Sequence, residues 1–219
     1  MNSLDYLKGL ANRKQYAAIS DILQVLLKVA APLKEHKQNQ QISSLCERLT
    51  SFQADLRKSI FQDFEGAFNG GTVQLQADIL NEGCLVLELL ESDAKNQLVR
   101  WYCEMQLGDY RNLFQKNPEV AGLADISRRF AWMKRLLKTH DENHQNVFPE
   151  HWKMAETVSW QFCQETKRDL AEVIIKSERD GSFDTRTMLS AIQSTVEFES
   201  KLEFRFITQV NNRDSLLKV

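Results

Sequence analysis

Apolar residues along this chain recur at steps of three and four, and nowhere do they alternate strictly with polar ones over a strand's length. Steps of three and four place side chains on one face of an α-helix, whereas a half-buried strand needs steps of two. The clearest run is Ile42, Leu45, Leu49, Phe52 and Leu56, extended by Ile60 and Phe64 at steps of four. Alternating threes and fours is the coiled-coil pattern, and the drift to fours indicates a seam that widens into bundle packing. A second run, Leu123, Ile126, Phe130, Met133 and Leu137, repeats the alternation.

Weaker runs fill the intervals. Leu4, Leu7 and Leu10 begin an amino-terminal helix, and Ile19, Ile22, Leu23, Leu26 and Leu27 form the face of a second, closed by Pro32. Residues 74–90 form an apolar helix, and Ser92-Asp93 supplies a cap and a first-turn acid for one that carries Trp101, Tyr102 and Met105 up to Gly108. A short segment with Tyr110, Leu113 and Phe114 precedes Asn117-Pro118. Pro149 is placed at the first turn of a long helix whose face holds Trp152, Ala155, Val158, Phe162, Leu170, Val173 and Ile174. Asp180-Gly181-Ser182 marks a helical hairpin, and a last helix carries Leu189, Ile192, Val196, Leu202 and Phe206 on its apolar face.

Glycine and proline are scarce, eight and three residues, and most fall between these runs, as helix punctuation requires. The expected class is therefore all-α: an elongated bundle of long antiparallel helices with coiled-coil-like seams. Gly70-Gly71 divides the pattern into amino-terminal helices over 1–68 and a helical bundle over 72–219. No fixed-period repeat is present, so solenoid repeats are not indicated. Polar stretches suited to loops are 34–41 and 140–146.

Composition narrows the function. A formal net charge of −2 offers no concentrated basic face for a nucleic acid. The most apolar stretch, 22–31, is too short to cross a bilayer and carries Lys28, so no spanning segment is expected. No signal peptide is evident. Cys46, Cys84, Cys103 and Cys163 lie far apart without metal-binding spacing, which suits reduced core thiols in the cytosol.

Candidate chemistry is sparse. His140 and His144 stand one helical turn apart, with His151 nearby, but the residue after the first histidine is Asp141 where a zinc hydrolase needs glutamate. A solvated helix end is the plainer reading. Glu88, Glu91 and Asp93 have no sequence reason to be buried together, and acid–base work requires perturbed carboxylates. Gly70-Gly71 lacks the Gly-Lys-Ser/Thr of a phosphate loop, and no nucleophile elbow is found. Within 128–135, Arg128, Arg129, Lys134 and Arg135 surround Phe130 and Met133 of the second seam, which reads as cations flanking a packed helix. Neither enzyme nor cofactor is expected.

Several segments, in order, resemble the vacuolar protein sorting fifty-three subunit family. They are Asn12-Arg13-Lys14-Gln15-Tyr16, Asp63-Phe64-Glu65, Gly83-Cys84-Leu85-Val86, the string from Ile126 to Arg135, Phe148-Pro149-Glu150-His151-Trp152, Ala155-Glu156, Phe162-Cys163, Ala191-Ile192-Gln193-Ser194-Thr195 and Phe198-Glu199. The Arg-Arg-aromatic-Ala-Trp-x-Lys-Arg string with the downstream Phe-Pro-x-x-Trp is the most specific. Ser127 stands where the family usually has an acid before the paired arginines.

The resemblance implies an amino-proximal to middle fragment of a longer subunit, shared by the Golgi-associated retrograde protein (GARP) complex and the endosome-associated recycling protein (EARP) complex. It implies sister subunits fifty-one, fifty-two and fifty-four, with syndetin replacing the last in the recycling complex, and SNAREs and small GTPases as further partners. It implies vesicle tethering in retrograde transport from endosomes to the trans-Golgi network, by a cytosolic protein held peripherally on Golgi and endosome membranes through its complex. Ile42, Leu45, Leu49, Phe52 and Leu56 are the candidate subunit interface, with an intramolecular core seam as the equal alternative. A stand-alone helical adaptor is the alternative function.

Overall fold

A computed structural model describes residues 3–33, 35, 38–90, 93–117 and 120–216, with side chains excepted at 3 and 208–216. Ser92, Pro118 and Lys34, to which the sequence pattern assigns a cap, a break and a loop start, lie outside the described residues. The described residues hold the expected all-α architecture: α1 (Ser3–Asn12), α2 (Tyr16–Leu33), α3 (Gln40–Asn69), α4 (Ala77–Leu89), α5 (Ala94–Gln106), α6 (Gly108–Phe114), α7 (Ile126–Asn143), α8 (Met154–Arg179) and α9 (Thr185–Leu216). No strand occurs among them. Short 3₁₀ turns at Gln74–Gln76, Leu123–Asp125 and Glu150–Trp152 precede α4, α7 and α8.

Helix ends follow local chemistry. Asn39 caps α3 by accepting the Gln41 amide at 2.9 Å. Gly70 closes α3, and Gly71 takes a left-handed φ of 66°, open to glycine at no steric cost. Gly181 does the same after α8, and the Asp184 carboxylate then accepts the amides of Arg186 and Thr187 at the start of α9. The predicted helical hairpin at Asp180-Gly181-Ser182 is present.

The chain packs as two compact units, 1–101 with 140–153, and 102–139 with 154–219. The glycine pair divides the helical pattern, but compactness groups the residues otherwise, because 140–153 returns to the first unit. There Phe148 stacks on Phe64 of α3 at 5.7 Å, and Val147 offers its carbonyl to Cys84. In that unit α2 lies against α1 and α4, and α3 against α1 and α4. Gly83 permits the closest approach: a Cβ there would stand 3.2 Å from Ile60 and 3.7 Å from Tyr16. Tyr16 donates its hydroxyl to Asp63 at 2.6 Å, and Lys14 pairs with the same carboxylate. Three segments singled out in the sequence thus meet at one place.

In the second unit, Tyr110 meets Phe162 edge-on at 4.9 Å, while Phe130 of α7 and Phe198 of α9 stack at 4.2 Å. Ile126, Phe130, Met133 and Leu137 are buried as the second seam predicts, with Leu137 the last before α7 continues into the first unit.

Two expectations need correction. Pro149 does not open α8: it precedes the 3₁₀ turn Glu150–Trp152, and left-handed Lys153 (φ 49°) separates that turn from α8. The reason is tertiary, because Glu88 of α4 draws both His151 and the Trp152 indole, at 2.5 Å for the latter, which holds the turn in the first unit. Secondly, α2 is by length and composition apolar enough to cross a membrane, since Ala17, Ala18, Pro32 and Leu33 extend the apolar stretch and only Asp21 and Lys28 are charged. Pro32 lies inside the last turn of α2 rather than beyond it. Tyr16, Ile19, Leu23 and Ala30 of this helix are buried in the first unit.

Candidate interaction surfaces

The predicted interface residues separate along α3. Leu49, Phe52 and Leu56 are buried, as are Ile60 and Phe64 after them, so this part of the seam is spent on the core. Burial of each such side chain is worth roughly 1.5–3 kcal/mol, which fixes α3 against its neighbours. Ile42 is half-buried and Leu45 is exposed, so only the first turns of α3 offer apolar surface. Val25 and Val29 of α2 add exposed apolar surface in the same unit.

The histidines do not gather into a metal site. His140 and His144 are buried with ring centroids 6.2 Å apart, and His144 lies 5.0 Å from the Phe68 ring, whereas His151 is engaged by Glu88. Burial, with His140 adding to it, pushes the His144 pKa down to about 4, the behaviour of a neutral core imidazole. A solvated helix end is therefore the wrong description of His140 and His144. Glu88 is a structural acceptor: burial opposes its charge, but hydrogen bonds from Trp152 and His151 with the nearby Lys95 cation hold it below the usual carboxylate range.

Arg129 is the residue that periodicity misplaced. It sits among the cations expected to flank the second seam, yet it is 1% exposed. Its guanidinium donates to the Tyr110 hydroxyl at 2.6 Å, the Ala121 carbonyl at 3.0 Å and Asp169 at 3.2 Å, and lies over the Phe114 and Tyr110 rings. Tyr110 in turn shares a hydrogen bond with Thr166 at 2.6 Å. Beside it Arg111 grips Glu165 through two nitrogens, at 2.6 and 2.9 Å, which raises the guanidinium pKa further. These groups tie α6, α7 and α8 together; Arg129 is held through its two terminal nitrogens, its buried Nε having no hydrogen-bond partner, and a buried cation of this kind positions helices.

Most of the exposed large apolar side chains described in the second unit lie on α9. Leu189, Ile192, Val196 and Ile207 are 63, 47, 57 and 50% exposed. At about 100° per residue they fall within roughly a 60° arc, and buried Ala191 and Phe198 lie on the opposite side. The sequence pattern assigns Leu189, Ile192 and Val196 to the packed face; the packing selects the other stripe because the Phe198 ring inserts between Phe130 and Phe162. Phe204 is also exposed beside this row. Glu203 stands exposed within the same arc, and Arg186, Glu197, Glu199 and Lys201 are exposed around it.

The family description "Vps53, N-terminal" matches residues 1–217. The chain is 28% identical to vacuolar protein sorting-associated protein 53 A of Arabidopsis thaliana over 98% of its own length and 26% of that protein. It is 28% identical to the Caenorhabditis elegans homolog of vacuolar protein sorting-associated protein 53 over 94% of this chain and 25% of the other. The Saccharomyces cerevisiae protein of that name is 22% identical over 80% of this chain and 22% of its own length. The chain thus spans about a quarter of the length of the curated relatives it matches. No solved structure matches.

Proposed function

The chain belongs to the family of Vps53 N-terminal regions, and from that premise we propose that it is an assembly segment of a vesicle-tethering subunit, acting as a scaffold without catalysis. The complexes are the Golgi-associated retrograde protein and endosome-associated recycling protein tethers. Their work is retrograde transport from endosomes to the trans-Golgi network, endosomal recycling and promotion of SNARE-dependent fusion. The partners are sister subunits fifty-one, fifty-two and fifty-four, and syndetin, with SNAREs and small GTPases beyond them. Membrane association is peripheral, at Golgi and endosome, through the complex.

The observation that carries this reading is the apolar row on α9: four aliphatic side chains in helical register face solvent while the same helix is already anchored by its other side. Such a face needs a cover, and a helix from another protein fits its spacing. The exposed start of the α3 seam, Ile42 and Leu45, is a second point of attachment in the first unit.

The test is co-expression of the tagged 219-residue chain with the sister subunits, followed by affinity purification and mass spectrometry. Co-purification of the sister subunits supports the tether reading. Their absence under conditions where the chain is folded by circular dichroism overturns it in favour of a stand-alone adaptor.

A further inference from the structure

The row on α9 also carries information about what covers it, given the reading of the chain as an assembling subunit. From Leu189 to Ile207 it runs for about 27 Å, at roughly 1.5 Å per residue, or about five helical turns. Its first members, Leu189, Ile192 and Val196, keep the three-four spacing of a coiled-coil seam. Its edges are charged unevenly. Glu203 falls within the arc of the row itself, between Val196 and Ile207, while Glu199 lies along one edge and Glu197 along the other with exposed Lys201 one turn beyond it, and Arg186 stands near the amino-terminal end. Between Val196 and Ile207 the row therefore carries three carboxylates, one within it and one on either side.

We infer that this face of α9 binds an amphipathic helix of a different protein, with leucine or isoleucine at three-four spacing opposite Leu189, Ile192 and Val196 and lysine or arginine opposite Glu197, Glu199 and Glu203. A second copy of the chain fits poorly. Two α9 helices paired in parallel would set each of these carboxylates against its own counterpart, and like charges across a seam repel. An antiparallel pair centred on Val196 would place Leu189 against Glu203, pressing a carboxylate into the apolar seam. A partner with cations at these positions relieves both conflicts. It also gives the encounter a favourable electrostatic component that weakens with salt.

Two synthetic probes of about twenty residues test this, sharing a Leu/Ile seam and differing only in lysine or glutamate at the positions opposite Glu197, Glu199 and Glu203. Their binding to the 219-residue chain is followed by fluorescence anisotropy, with circular dichroism and urea midpoints confirming that each variant is folded. The lysine probe is expected to bind at least about tenfold more tightly than the glutamate probe. That affinity is expected to disappear in Leu189→Asp/Val196→Asp, and the preference to reverse in Glu197→Lys/Glu199→Lys/Glu203→Lys. Equal binding of both probes, or affinity unchanged by Leu189→Asp/Val196→Asp, overturns the inference. So does a concentration-dependent dimer in sedimentation that Val196→Asp abolishes, since the cover would then be a second copy. The tether reading fails separately: if the sister subunits do not co-purify while the probes behave as expected, the face stands and the tether assignment falls. If they co-purify equally with the parent and with Leu189→Asp/Val196→Asp, the tether assignment stands and the face falls.

Discussion

Helices α3 and α9 carry apolar residues in the same three-four rhythm, and the fold treats them in opposite ways. On α3, Leu49, Phe52, Leu56, Ile60 and Phe64 form one stripe, and that stripe is the core of the first unit. On α9, Leu189, Ile192 and Val196 keep the rhythm but stay in solvent, because Ala191 and Phe198 on the other side occupy the core of the second unit. Periodicity reveals that a face is apolar. It does not say whether the cover comes from the same chain, and a helix apolar on two sides has one side left over for a partner.

The strongest way to break this contrast is to put the same charge on both rows. Phe52→Asp is expected to cost more than about 4 kcal/mol and to unfold the first unit, since it removes a buried ring and leaves an unpaired carboxylate inside. Val196→Asp is expected to change stability by less than about 0.5 kcal/mol. Urea unfolding followed by circular dichroism checks both, and equal costs would erase the distinction between covered and uncovered rows.

A slightly smaller effect probes how α7 is held to α6 and α8. Arg129→Ala removes the buried partner of an ion pair and takes one donor from each of Asp169 and Tyr110, which keep Gln115 and Thr166, at an expected cost of about 3 kcal/mol. Its neighbour Arg128, 62% exposed and paired with half-buried Asp125, is expected to tolerate alanine within about 0.5 kcal/mol. Comparing the two urea midpoints separates a buried structural cation from a surface one.

The units also differ in acid response, because the described histidines, His140, His144 and His151, fall in the first. His144 has a folded pKa of about 4 against an ordinary 6.5, so the unfolded state binds the proton more readily. The stability it allows is complete above pH 6.5 and declines as the pH falls toward 4. Between pH 7.5 and 5 the first unit is expected to lose protection measurably while the second holds, with His144→Leu flattening the loss. Limited proteolysis mapped by mass spectrometry at the two pH values distinguishes the units, and equal loss in both would contradict this assignment.

The smallest expected effect concerns the ends of the two helical pairs. Gly71→Ala and Gly181→Ala each force a side chain into left-handed backbone, at roughly 1 kcal/mol apiece. Thermal unfolding of the two variants checks that the turn after α3 and the turn before α9 carry similar strain.

The sequence by itself determined the helices, their punctuation and the family. Those depend on what lies a few residues apart: the spacing of apolar side chains, the glycine pair at 70–71, the Asp180-Gly181-Ser182 turn, and the ordered segments shared with the family. It also identified the α3 row that the core uses from Leu49 onward, though not that Ile42 and Leu45 would remain nearer solvent. Only the tertiary structure decided the rest. Arg129 became a core residue because Tyr110, Asp169 and the Ala121 carbonyl, far apart in sequence, converge on it. Trp152 left α8 because Glu88, 64 positions away, holds its indole. The outward face of α9 followed from the Phe198 ring filling the space between Phe130 and Phe162. Each outcome turns on which distant groups share one volume, and local spacing carries no term for that.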